Sequence, residues 1–93
     1  KSGLLGLTRA SALDLGDSGI TVNSICPGPF LTDLPKSVLS EDQIAFFAER
    51  TALGRWGDPR ELVGTALLLG TDAGSYITGT EITVDGGTVV KSF

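Results

Sequence analysis

Gly19-Ile20-Thr21-Val22-Asn23-Ser24-Ile25-Cys26-Pro27-Gly28-Pro29 is the stretch on which the fold turns. Ile20 to Cys26 is rich in β-branched residues and bounded by glycine and by Pro-Gly, which predicts a strand. Pro27-Gly28-Pro29 then forbids continued strand pairing or helix, because two of its three residues lack a backbone N–H. An irregular loop is expected from there to about Ser40.

Upstream, Ser2 to Leu15 reads as a helix. Leu4, Leu5, Leu7, Ala10, Ala12, Leu13 and Leu15 leave it little polar face, so it should be covered on more than one side. Gly3 and Gly6 weaken it by roughly 1 kcal/mol each against alanine, which close packing there would make tolerable. Gly16 and Asp17-Ser18-Gly19 stop it. Downstream, Ser40-Glu41-Asp42-Gln43 has the spacing of a capping box and opens a short helix through Ile44, Phe46, Phe47 and Ala48. Asp58-Pro59-Arg60-Glu61 opens another, with an N-cap Asp and Pro at the first helical position. Leu62, Val63, Ala66, Leu67 and Leu69 form its expected buried face, and Gly70 ends it. Glu81 to Asp85 is a second strand, closed by Gly86-Gly87, and a short tail runs from Thr88 to Phe93.

Two strands separated by helices imply a crossover, and crossovers go with parallel sheets. A parallel sheet is buried on both faces and rarely stops at two strands. The chain is therefore expected to be the closing part of a larger α/β domain. Alone, at a cost of about 1.5 kcal/mol per ordered residue, it should be poorly folded and inactive unless it self-associates.

Composition narrows the function. The chain has 93 residues, 7 Lys plus Arg against 11 Asp plus Glu, a net charge of −4, and 41% apolar residues. That is one small domain at most, with no basic cluster to bind nucleic acid or an anionic membrane. No apolar run approaches the roughly 18 residues of a membrane span. No signal-peptide pattern follows Lys1. One cysteine, Cys26, forms no internal disulfide, which points to a reducing cytosol. With no histidine, Ser-His-Asp and Cys-His catalysis are absent from this stretch. The carboxylates do not cluster as metal ligands do: Asp58 and Glu61 are explained by capping, and Asp85 by a turn.

Ligands of open parallel α/β sheets bind outside the carboxyl ends of the strands. Pro27-Gly28-Pro29-Phe30-Leu31-Thr32 follows such an end, and its backbone groups and the Thr32 hydroxyl could read a planar amide. Locally the same residues also read as a plain loop. Asn23, polar in an apolar strand, is expected to hydrogen-bond a neighbouring turn. Cys26 reads as a small buried apolar residue. Trp56 is either a lid aromatic or a packing anchor. Lys1 reads locally as a solvated end of the chain.

Taken together, four blocks resemble the short-chain dehydrogenases/reductases. They are Lys1-Ser2-Gly3-Leu4-Leu5-Gly6-Leu7-Thr8-Arg9-Ala10, the Gly19–Gly28 strand with its Pro-Gly end, Leu53-Gly54-Arg55-Trp56-Gly57-Asp58-Pro59-Arg60-Glu61, and Tyr76-Ile77-Thr78-Gly79 with Val84-Asp85-Gly86-Gly87. The resemblance implies the C-terminal part of a doubly wound Rossmann-type parallel sheet (helix-strand-helix-helix-strand), with residues 1–93 one segment of a single NAD(P)-binding domain. It implies NAD or NADP as cofactor and a carbonyl or secondary-alcohol substrate. Lys1 would be the lysine of the Tyr-x-x-x-Lys motif, bonding the nicotinamide ribose and lowering the tyrosine's pKa. Pro27, Gly28, Pro29 and Phe30 would border the nicotinamide, with the Phe30 backbone at its carboxamide and Thr32 at the carboxamide or a phosphate. Residues 33–56 would be the substrate lid. A dimer or tetramer would use the first helix and the closing segments. Among the family's members the blocks look most like 3-oxoacyl-carrier-protein reductases and gluconate-type dehydrogenases. The phosphate loop, the catalytic Ser and the catalytic Tyr are not in this sequence, and Pro29 is an unusual loop residue. The alternative is a non-catalytic association module or a degenerate remnant.

Overall fold

The structure, a computed structural model, describes residues 2–91. The chain divides into two compact units, residues 1–26 with 64–82 and residues 27–63 with 83–93. Helix α1 spans Ser2–Leu15, strand β1 Ser24–Pro27, helix α2 Asp33–Val38, helix α3 Glu41–Glu49, helix α4 Val63–Gly70, strand β2 Glu81–Val84 and helix α5 Thr88–Lys91.

In the first unit, α1 ends where expected. A 3₁₀ turn over Gly16–Ser18 follows it, and Gly19, at φ +74°, donates its N–H to the Gly16 carbonyl at 3.0 Å. That left-handed residue is why glycine closes the helix. Ala12 is the single buried apolar side chain among the described residues, while Leu7 and Leu13 are 64% and 85% exposed. Among the described residues nothing lies within 4 Å of the positions that side chains at Gly3 and Gly6 would occupy, so no packing among them explains those glycines. Of the face expected to be buried at α4, Leu62 and Leu69 are half-buried, while Val63 and Leu67 are 50% and 58% exposed.

The two strands form one sheet. Ser24 N–H donates to the Thr80 carbonyl at 3.0 Å and Gly28 N–H to the Val84 carbonyl at 2.9 Å. Both sequences advance together along the ladder, which makes the pairing parallel. The expected strand bounds need two corrections. Pairing begins at Ser24, not Ile20, because Val22 is engaged by a turn: its N–H donates to Thr78 Oγ1 at 3.0 Å and its carbonyl accepts from Gly79 N–H at 2.7 Å. Pairing also runs through Pro27 to Gly28, rather than stopping at the proline. Donors toward β2 come from alternate residues, so the missing Pro27 N–H falls on the other edge and costs the ladder nothing.

In the second unit the expected long loop contains α2. Pro35 sits in its first turn, where a missing N–H is no loss. Helix α3 begins with the complete capping box: Gln43 N–H donates to Ser40 Oγ at 3.2 Å, and Ser40 N–H to Gln43 Oε1 at 2.9 Å. The Asp58–Glu61 start opens a 3₁₀ turn over Pro59–Leu62 that leads into α4.

Candidate functional site

The loop after β1 is built by backbone accounting. Pro27 and Pro29 have no N–H to give. Gly28 N–H is taken by Val84, Leu31 N–H by the Gly57 carbonyl at 2.9 Å, and Thr32 N–H by the Phe30 carbonyl at 3.1 Å. Gly57 N–H in turn donates to the Pro29 carbonyl at 2.9 Å, so Phe30 and Gly57 form an isolated parallel bridge. In that geometry the Phe30 N–H points away from Gly57, and it has no hydrogen-bond partner among the described residues. Thr32 is the N-cap position of α2, yet its hydroxyl makes no capping bond. The loop thus presents one unspent N–H and one uncommitted hydroxyl, two residues apart.

Two glycines make this shape possible. A side chain at Gly28 would meet Asp85 Cβ at 2.5 Å, and one at Gly57 would meet the Phe30 ring at 2.6 Å. Asp85 is itself a turn residue, as its sequence context indicates: its carboxylate accepts from Gly87 N–H at 2.8 Å and Val89 N–H at 3.1 Å, opening α5. A cavity of about 150 Å³ lies against the loop, bordered by Pro29, Phe30, Leu53, Arg55 and Glu61.

Arg55 and Glu61 form a bidentate pair at 2.8 and 2.9 Å. The same glutamate accepts Asp58 N–H at 2.9 Å, and Arg55 also donates to the Trp56 carbonyl at 3.1 Å. The guanidinium of Arg55 first, then the Asp58 N–H, hold the Glu61 carboxyl down to about 2. Arg60 does the same to Asp58, through its side chain and then its backbone N–H, bringing it to about 2. Capping accounts for these acids only in part. The Arg55 pair joins residues six apart across an irregular turn, and no periodicity signals it.

Trp56 is an anchor. Its indole N–H donates to the Ile44 carbonyl of α3 at 2.8 Å, and its ring meets Phe47 edge-on at 5.9 Å. Thr51, unmarked in the sequence, is 1% exposed. Its hydroxyl donates to the Ala48 carbonyl at 2.8 Å and accepts Arg55 N–H at 3.0 Å. Asn23 does what its setting demands: its amide donates to the Ile77 carbonyl at 3.0 Å and accepts Thr80 N–H at 3.1 Å. Cys26 is half-buried at the end of β1. Gly28, Pro29, Phe30 and Thr32 share the loop after β1 and Pro27 is the last residue of that strand, whereas Lys1 lies outside the described residues. Among the described residues no three His, Cys, Asp or Glu side chains gather as a metal site would require.

This chain is similar to known proteins along nearly all its length. The family model described as enoyl-(acyl carrier protein) reductase matches residues 1–89. The chain is 44% identical over 92 residues to the L-rhamnose 1-dehydrogenase (NADP(+)) of Thermoplasma acidophilum, a match spanning 98% of this chain and 36% of that protein. It is 38% identical over 87 residues to the 3-oxoacyl-(acyl-carrier-protein) reductase of Vibrio harveyi, spanning 94% of this chain and 35% of that one. The crystal structure of a short-chain type dehydrogenase/reductase from Mycobacterium marinum superposes with a TM-score of 0.84 at 40% identity, over 95% of this chain and 34% of that chain. The chain thus spans about a third of the length of the curated relatives it matches. Its α/β order, its parallel strand pair and these matches agree, and the chain belongs to the short-chain dehydrogenase/reductase family.

Proposed function

We propose that this chain is the C-terminal part of an NAD(P)-dependent oxidoreductase that moves a hydride between its cofactor and a carbonyl or secondary alcohol. The observation that carries the reading is the unspent Phe30 N–H, set one residue past Pro29 and two before the uncommitted Thr32 hydroxyl. A backbone donor without a partner calls for one. A carboxamide oxygen satisfies it, and the amide nitrogen has the Thr32 hydroxyl as acceptor. Pro27, Gly28 and Pro29 would border that amide. When bound, the nicotinamide would supply or accept the hydride. Lys1, as the lysine of the Tyr-x-x-x-Lys motif, bonds the ribose and favours ionisation of a tyrosine that precedes it. That tyrosine and the catalytic serine belong to the upstream part of the protein. The names of relatives support NADP at least as well as NAD, and support both sugar and acyl-carrier substrates.

The exposed apolar residues of α1 and α4 support a homo-oligomer, a tetramer or dimer, once the rest of the domain is in place, and the single cysteine supports the cytoplasm. Among the described residues no helix is long and apolar enough to cross a membrane. The same exposed faces favour a second reading, a non-catalytic association module.

The test is binding and turnover by the full-length protein. NADPH should bind, and a panel of 3-oxoacyl thioesters and keto-sugar acids should include at least one that oxidises it. Thr32→Val should weaken NADPH by about 5-fold, the worth of one hydrogen bond. Absence of both NADH and NADPH binding, with oligomerisation intact, selects the association module instead.

A further inference from the structure

We propose that Trp56 is a positioning residue that ties α3 to the Phe30 loop, so that occupancy of the loop is felt in that helix. The inference rests on the cofactor reading of Phe30. Trp56 and Gly57 are adjacent, and each holds a different element. The Trp56 indole N–H is bonded to the Ile44 carbonyl, inside α3, at 2.8 Å. Gly57 exchanges hydrogen bonds with Pro29 and Leu31, at 2.9 Å each, on either side of Phe30. Arg55 grips the Trp56 carbonyl at 3.1 Å while paired with Glu61, so the peptide between the two attachments is not slack. Phe47 meets the Trp56 ring edge-on at 5.9 Å, a contact separate from the indole N–H bond. Any shift of the Phe30 backbone is therefore passed through Gly57 to Trp56 and on to Ile44. The Ile44 carbonyl is also the acceptor that helical geometry assigns to the Ala48 N–H, so the Ala48 amide reports on it.

Amide hydrogen exchange on the full-length protein, with and without NADPH, tests this. In the wild type NADPH should slow exchange at the Phe30 amide and, by about 5-fold, at the amides of Ile44 to Ala48. Trp56→Phe keeps a ring and removes the N–H. It should retain the Phe30 protection and lose the slowing in α3. Phe47→Leu keeps the indole N–H and should retain both effects. Slowing in α3 that survives Trp56→Phe overturns the proposal, as does its absence in the wild type while Phe30 is protected. Loss of the α3 slowing in Phe47→Leu also overturns it, since the link would then run through ring packing. No protection at Phe30 in the wild type is a different result: it removes the cofactor reading, and this inference with it. A thermal melt of each variant separates misfolding from lost coupling. If Trp56→Phe does not fold, the wild type and Phe47→Leu still decide.

Discussion

A side chain at Gly28 would put its first carbon 2.5 Å from Asp85 Cβ and 2.6 Å from Asp85 Cα. The end of β1 and the residue after β2 are thus in backbone-to-backbone contact, and only glycine allows the Gly28–Val84 hydrogen bond to form at that separation. Gly28→Ala must push the strands apart at the mouth of the candidate site. The expected cost is about 1–3 kcal/mol, the range of overpacking in a closed space. Urea unfolding of the full-length protein measures it, and an unchanged midpoint would show that the strands have room to spare.

Asn23 satisfies a carbonyl and an N–H belonging to one turn, at Ile77 and Thr80. Asn23→Ala strands both. The expected loss is about 2 kcal/mol, because each half-buried backbone group keeps its desolvation penalty without its partner. Asn23→Asp retains the acceptor for Thr80 but places a carboxylate oxygen against the Ile77 carbonyl, so it should not restore stability at neutral pH. Thermal melts of the three proteins give the ranking.

Thr51 holds the turn after α3 through one hydroxyl that both donates and accepts. Thr51→Val keeps the shape and removes the hydroxyl, at about 1–3 kcal/mol. Thr51→Ser keeps the hydroxyl and should lose less. A valine variant as stable as the wild type would mean that this buried position is governed by volume alone.

Asp58 and Glu61 are each held down to about 2, from 3.8 and 4.5, by their arginine partners. A carboxyl lowered by folding contributes stability that is full above its unfolded pKa and disappears as pH falls through its folded one. The contribution should be complete above about pH 5 and lost progressively toward about pH 2. Both acids are well exposed, so the effect is small and salt should shrink it further. Glu61→Gln should flatten the pH dependence of the urea midpoint across that window. An identical slope in the variant would mean that other carboxyls carry the acid response.

Legibility in the sequence followed the distance between partners. The capping box at Ser40 joins residues three apart, the Asp58 cap joins it to Arg60 and Glu61, two and three residues on, and each appears as its spacing foretells. Helix α2 was not legible, because Thr32 offers no capping bond and Pro35 disguises a first turn as a break. In the candidate site, the loop from Pro27 to Thr32 could be located from its prolines and its strand. Which of its donors is left over could not, because that depends on Val84 and Gly57, far along the chain.

The sequence by itself determined where α1 ends and where α3 begins, that two strands are joined through helices and so lie parallel, and which family this is, since all of these are written in short-range spacing and ordered blocks. Only the tertiary structure decided that Pro27 belongs to the ladder, that Asn23 answers a turn 54 residues and more away, and that Trp56 fastens α3 while Phe30 keeps an N–H to spare. The physical reason is that each of these is set by strand register and by which backbone edge faces which neighbour, and a change of one residue in register would reassign every donor.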